Sequence, residues 1–233
     1  MDILYTLSSN YSGEELRYSL RSLVNVPHDN VFIVGGCPAW VKGIIHIPAT
    51  QSGTKYKNTT NNLKVACNDT RLSDDFIYFN DDFFVLRPIK DPKKELNLYN
   101  DTVNKQYDGL YAKHHAETPY MVGIRETRDL IRALGKADPL SYELHAPFVF
   151  NKDNFIKMFA IEGVDKINCL HKRTLYGNLY YTGGKNQKDV KIFAKDKFDT
   201  SALDKFLSCS NDGWPKVRVY LQSKFPEKCQ YEI

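Results

Sequence analysis

Residues 74–88 read DDFIYFNDDFFVLRP. Phe76–Phe79 has the unbroken apolar and aromatic character of a short buried strand, and Phe83–Leu86 predicts a second one. Between them stand Asn80, Asp81 and Asp82. Two carboxylates set between apolar runs cost free energy unless water, a donor or a cation satisfies them. The triplet is therefore either an exposed turn, for which Asn and Asp are favoured, or a place where the chain holds something positive.

Upstream, Ile3–Leu7 predicts a first core strand. EELRYSLRSLVN (14–25) sets Leu16, Leu20, Leu23 and Val24 on one helical face. NVFIVGG (30–36) predicts a buried strand ending in two glycines, and GIIHIP (43–48) another, closed by Pro48. KNTTNNLKVACNDTRL (57–72) predicts a helix before the strand DFIYF. This β-α-β-β-α-β order predicts an α/β fold, a Rossmann-type, mostly parallel sheet flanked by helices, in one domain spanning residues 1–233. In such sheets ligands bind beyond the carboxyl ends of the strands, where Asn80–Asp82 falls. That context favours metal or phosphate chemistry over a plain turn, since hard oxygens suit Mg²⁺ or Mn²⁺ bridging the phosphates of a nucleotide.

The second half is less regular. YDGLYAKHH (107–115) reads as a strand leading into a loop, IRETRDLIRALG (124–135) and NKDNFIKMFAIEG (151–163) as helices ending at glycines. DVKIFAK (189–195) reads as a strand, with helical segments beginning at Ser201 and Trp214. His114, His115, His145 and His171 are candidate ligands or bases. His145 stands out because it follows Glu143 by two residues and precedes an apolar strand; it could complete a metal site with Asp81 and Asp82 or take a proton. The sequence does not choose between it and the His114–His115 pair. HKRTLYGNLYYTGGK (171–185) gathers Lys172, Arg173 and Lys185 beside glycines, a composition suited to phosphate oxygens and equally to a solvated basic loop. No Walker, dinucleotide-binding, nucleophile-elbow or H-E-x-x-H motif occurs.

Composition narrows the class. With 42% hydrophobic and 26% charged residues the chain reads as an ordinary globular protein. A net charge of +4 permits a nucleic-acid or polyphosphate partner without demanding one. Five scattered cysteines without a C-x-x-C pair predict reduced thiols in a cytoplasmic protein. No apolar run approaches the ~20 residues of a membrane span, and MDILYTLSS is not a secretory leader.

Three segments in order, EELRYSLRSL (14–23), VFIVGGCPAW (31–40) and LSDDFIYFNDDFFV (72–85), resemble the Stealth-type sugar-phosphate transferases; HAPFVF (145–150) and RTLYGN (173–178) resemble later family segments more loosely. The opening ILYTLSSNYSG departs from the family's V-Y-T-W-V-D-G-like start, lacking its Trp and first Asp. The resemblance implies a GT-A-like fold whose residues 1–90 bind a nucleotide-sugar, a UDP-sugar, and whose residues 91–233 serve acceptor and catalysis. It implies Mg²⁺ or Mn²⁺ held by Asp81, Asp82 and His145. Arg17, Arg21, Asn80 and Lys185 would contact the donor, and Asp81, His145 and Arg173 would act in catalysis. The short, Asn-, Lys- and Tyr-rich chain also resembles proteins of large tailed bacteriophages, which implies double-stranded phage DNA with hydroxymethylated pyrimidines as acceptor. A capsule-type sugar-1-phosphate transferase and a non-catalytic nucleic-acid-binding domain are the alternatives.

Overall fold

The computed structural model describes residues 1–181 and 183–233. β1 (Asp2–Leu7), α1 (Glu15–Ser22), β2 (Val31–Gly35), β3 (Ile45–Ile47), α2 (Lys55–Cys67), β4 (Asp75–Phe79) and β5 (Phe83–Val85) follow the order the apolar runs predict. Then come α3 (Pro92–Glu95), β6 (Leu98–Tyr99), α4 (Val103–His114), α5 (Pro119–Ala133), β7 (Phe148–Asn151), α6 (Lys152–Met158) and α7 (Lys172–Tyr180). β8 (Lys185–Asn186), β9 (Lys191–Ile192), β10 (Phe206–Cys209) and α8 (Trp214–Lys224) complete the chain. Side-chain oxygens start five of the helices: Thr54, Asp91, Thr102, Thr118 and Asn151 each accept a backbone N–H of the first turn.

The main sheet has the order β3-β2-β1-β4-β7, parallel except for β7, which runs antiparallel to β4. Period-two alternation puts the strands' two faces into different cores. Ile3, Tyr5, Leu7, Ile77 and Phe79 pack with Leu16 and Leu20 of α1. Leu4, Phe32, Phe76 and Phe150 pack with Leu63 of α2, Phe155 of α6 and Tyr176 of α7. A smaller sheet, β5-β10-β9, packs Phe84 and Leu207 on Val217 and Leu221 of α8. After β1 the chain builds outward through β2 and β3, then returns through α2 to pair β4 on the other side of β1. The reversal opens a crevice between the carboxyl ends of β1 and β4.

Four sequence expectations are corrected. Residues 107–115 are helical, inside α4: Thr102 caps the turn, and Tyr107 and Tyr111, four apart, stack on its surface at 6.2 Å. His114 and His115 are consequently exposed at that helix's end, with His115 closing it at φ 55°. Val24 lies beyond α1 in a 3-10 turn and is 81% exposed. No helix begins at Ser201; Asp199 caps a single turn, Thr200–Ala202, before the buried residues of β10. Finally, 172–180 is not part of a solvated basic loop: Lys172–Tyr180 forms α7, and Gly177 is there so that the Tyr142 ring can lie against the helix backbone. Thr182, within 171–185, lies outside the described residues.

Candidate active site at the carboxyl ends of the strands

The crevice begins where β1 and β2 end. Gly35 has φ +98°, and a side chain there would collide with the Leu7 carbonyl, so the two strand ends approach closely. Gln51 knits the rim: its Nε2 donates to Leu7 O at 2.7 Å, and its Oε1 accepts from Ser9 N at 2.9 Å. Asn62, on α2 and 2% exposed, donates from Nδ2 to Leu7 O at 3.3 Å and Val34 O at 3.4 Å. Its Oδ1 is buried and has no partner among the described residues. An unmatched buried acceptor costs about 1–3 kcal/mol. With Ser8, Lys55, Asn58 and Thr59 these groups line a polar pocket of ≈ 200 Å³.

The Asn80–Asp82 triplet is the tight turn joining β4 to β5, closed by Phe83 N donating to Asn80 O at 3.3 Å. Its side chains diverge. Asn80 Oδ1 accepts the Tyr78 hydroxyl at 2.6 Å, and that hydroxyl also meets Thr6 Oγ1 at 3.3 Å. Asp82 Oδ2 pairs with Lys191 Nζ at 3.1 Å and accepts from Ser208 Oγ at 3.0 Å, across the small sheet. Asp81 turns instead towards Tyr11. Burial, reinforced by the charges of Asp82 and Glu15, raises its carboxyl to about 7.

Three further ionic groups converge. Glu143 Oε1 accepts the backbone N–H groups of Arg173 at 3.0 Å and Thr174 at 3.2 Å, at the start of α7. Its Oε2 takes Arg173 Nε at 3.0 Å and Nη2 at 2.9 Å. Burial alone would raise Glu143; Arg173, His171 and Lys172 more than reverse that and hold it at about 2. Arg173 Nη1 donates to Leu144 O at 2.5 Å and Ala146 O at 3.4 Å, and the guanidinium lies 5.8 Å from the Phe83 ring centre. His145 sits between those two carbonyl residues. Its ring meets Phe83 edge-on at 6.4 Å, and its Nδ1 lies 2.7 Å from Asp189 Oδ2. Burial pushes the Tyr78 hydroxyl up to about 12, and the charges of Arg173, Glu143 and Asp82 all act on it. Asn80, Asp82, Arg173 and His145 thus share one neighbourhood, and the sequence had singled out all four.

Others go elsewhere. Arg17 and Arg21 hold the C-terminal segment: Glu232, 3% exposed, accepts Arg17 Nη1 at 3.0 Å, Arg21 Nε at 2.7 Å and Arg21 Nη2 at 3.0 Å. Arg17 also lies over Trp40 at 3.9 Å. Lys185 is exposed on β8 and lines a cavity of ≈ 380 Å³ with Lys188, Lys197, Asp189, Asp199 and Asp204. His171 is buried at the start of α7, edge-on to Tyr120 at 4.5 Å, and burial lowers its pKa. The metal set Asp81, Asp82 and His145 does not form: no group of three His, Cys, Asp or Glu among the described residues could hold an ion. Asp81 faces Tyr11, His145 is bound to Asp189, Asn80 Oδ1 holds the Tyr78 hydroxyl and Asp82 Oδ2 holds Lys191, so an ion shared between Asn80, Asp82 and a diphosphate would displace these partners. Sequence reasoning missed Asn62, Gln51, Asp189, Lys191, Ser208 and Glu232. No helix of the described residues is long and apolar enough to cross a membrane.

No family model matches the chain, and no curated protein matches it. Among solved structures it resembles the galactosyltransferase LgtC in complex with donor and acceptor sugar analogues, with a TM-score of 0.56 at 13% identity over 99% of this chain and 98% of that one. It also resembles an active-site mutant of LgtC at a TM-score of 0.53, again at 13% identity over 99% and 98%. At that identity the likeness is one of fold, and the GT-A-like α/β architecture read from the sequence is the architecture found.

Proposed function

We propose that the chain is a glycosyltransferase that draws on a nucleotide-activated sugar, a UDP-sugar. The observation that carries this reading is the pairing of two features at one sheet edge. A polar pocket with an unmatched buried acceptor, Asn62 Oδ1, lies at the end of β1, and the ionic group around Asp82 lies at the end of β4. The first suits the N–H and hydroxyl donors of a nucleoside, the second a diphosphate and the reacting sugar. The GT-A-like fold, and the sugar donor and acceptor analogues bound by LgtC, point the same way.

In the reaction the bond between the sugar's anomeric carbon and the diphosphate breaks, its electron pair leaving with the phosphate oxygen. The acceptor hydroxyl oxygen bonds to that carbon and gives its proton to His145. Lys191 meets the charge growing on the leaving group, and Arg173, buried against Glu143, holds the backbone on either side of His145. Mg²⁺ or Mn²⁺ entering with the donor would find Asp82 and the Asn80 amide oxygen, and would add Lewis-acid stabilisation of the diphosphate. The acceptor we propose is hydroxymethylated duplex DNA; its support is the net charge of +4. Transfer of a sugar-1-phosphate is the second reading, favoured by the Stealth-like segments in residues 14–86.

Nucleotide release from a panel of sugar nucleotides decides, run with Mn²⁺, Mg²⁺ or EDTA and with or without hydroxymethylated DNA. Diphosphate release that DNA stimulates supports the proposal. Monophosphate release indifferent to DNA replaces it with sugar-phosphate transfer, and no release from any donor refutes both.

A further inference from the structure

We infer that Asp189 is the positioning residue that fixes His145 in the one tautomer able to take a proton from the acceptor. The inference deepens the glycosyl-transfer reading and rests on it for the identity of the proton donor, but not for the tautomer. Asp189 lies just before β9, 44 residues from its partner in sequence, and its carboxylate grips His145 at two points. Oδ1 accepts the His145 backbone N–H at 3.0 Å together with Val190 N–H at 2.9 Å, while Oδ2 meets ring Nδ1 at 2.7 Å. An ionised carboxylate is an acceptor only, so Nδ1 must carry the hydrogen and the ring's lone pair is left on Nε2.

Nothing among the described residues bonds that Nε2, and the side chain is 26% exposed, open enough for a substrate hydroxyl to reach. The ring cannot easily turn. Phe83 stands edge-on to it, and Arg173 ties down the carbonyls of Leu144 and Ala146 on either side. Burial works against the charge of Asp189, but the bonds from His145 and Val190 outweigh it and hold the carboxyl below its ordinary range, so it is ionised at neutral pH.

Asp189→Asn tests this with two readouts. An asparagine can still accept the two backbone N–H groups through Oδ1, but its NH₂ then faces Nδ1 and must donate to it. The ring is driven to the Nε2–H tautomer and loses its basic nitrogen. In ¹⁵N-histidine-labelled protein without substrate, His145 (one of six histidines, assigned by its absence in His145→Gln) should show a protonated Nδ1 in the wild type and a protonated Nε2 in Asp189→Asn. With donor and acceptor, kcat should fall by ~10²–10⁴-fold, the range seen when a catalytic histidine is held in the wrong tautomer or a general base is lost, while KM for the sugar nucleotide is unchanged. Asp189→Glu, which keeps an acceptor, should recover the Nδ1–H tautomer and part of the rate.

A wild-type Nε2–H tautomer, or a tautomer indifferent to Asp189→Asn, overturns the positioning role whatever the enzyme transfers. An inverted tautomer with unchanged kcat overturns the link to catalysis. Failure of the glycosyltransferase reading itself shows separately, as a wild-type protein that turns over no donor while its tautomer answers as described.

Discussion

Glu232→Gln separates two readings of Arg17 and Arg21, the donor contacts implied by sequence and the latch seen in the fold. Glu232 has a fully inaccessible side chain against Arg17 and Arg21, which are 30% and 11% exposed, and it also accepts Cys229 N–H at 3.1 Å. Burial raises its pKa, but Arg21, the Cys229 amide and Arg17 more than reverse this, taking it from 4.5 to about 2. Each tenfold change in proton affinity is worth about 1.4 kcal/mol, so the carboxylate contributes roughly 3 kcal/mol at neutral pH. The sign follows from a depressed folded-state pKa: the contribution is complete above pH 4.5 and disappears as pH falls towards 2. The amide keeps the shape and loses the charge. Urea unfolding at pH 7 should show Glu232→Gln less stable by roughly 3 kcal/mol, with Tm lower by ~6–12 °C for a chain of this size. The gap should narrow steadily below pH 4.5 as the wild type loses its advantage. Donor affinity should be unchanged at temperatures where both chains are folded. A variant as stable as wild type that no longer binds sugar nucleotide would refute the latch and return both arginines to the donor site.

Three further outcomes are expected. Asp81→Asn should match wild type near pH 4 and exceed it at pH 8 by up to about 4 kcal/mol. Burial, then the Asp82 and Glu15 charges, raise this carboxyl to about 7, so its stabilising neutral form is lost as pH rises from 3.8 through 7; unfolding midpoints across that range measure it. Glu143→Gln leaves Arg173 buried without a counter-charge and should cost ~3–5 kcal/mol in urea unfolding, far beyond a surface pair. Asp82→Asn should lower kcat/KM for the sugar nucleotide by ~10²-fold or more and abolish any stimulation by Mn²⁺, with an unchanged far-ultraviolet spectrum.

The fold was legible where one element's own residues decide it. Val31–Val34 and Phe76–Phe79 are fully apolar because both faces of the central sheet are covered, and such a run has no competing reading. It failed where local preference and context disagree. Tyr107 and Tyr111 favour strands intrinsically, yet Thr102 and the packing of α4 against α5 make them helical. The long apolar segments carried their own answer, and the short polar ones took theirs from distant partners.

The site divides along the same line. Asp82 depends on Lys191 and Ser208, 109 and 126 residues away, and no local pattern in NDDFF names either. One signal was available: in a strand across 189–195, Asp189 and Lys191 alternate onto one face, which would have paired an acid and a base beside each other. The doublet Asp81–Asp82 shows why adjacency misleads. Two carboxylates in consecutive positions read as one metal site, but a tight turn between strands sends neighbouring side chains to opposite sides. Asp82 meets an ammonium and a hydroxyl, whereas at Asp81 burial and the charges of Asp82 and Glu15 favour the proton and outweigh the Tyr11 hydroxyl, which favours the charge. Without a cation the two carboxylates face different partners, and a divalent cation arriving with a diphosphate would itself favour the charged form of either.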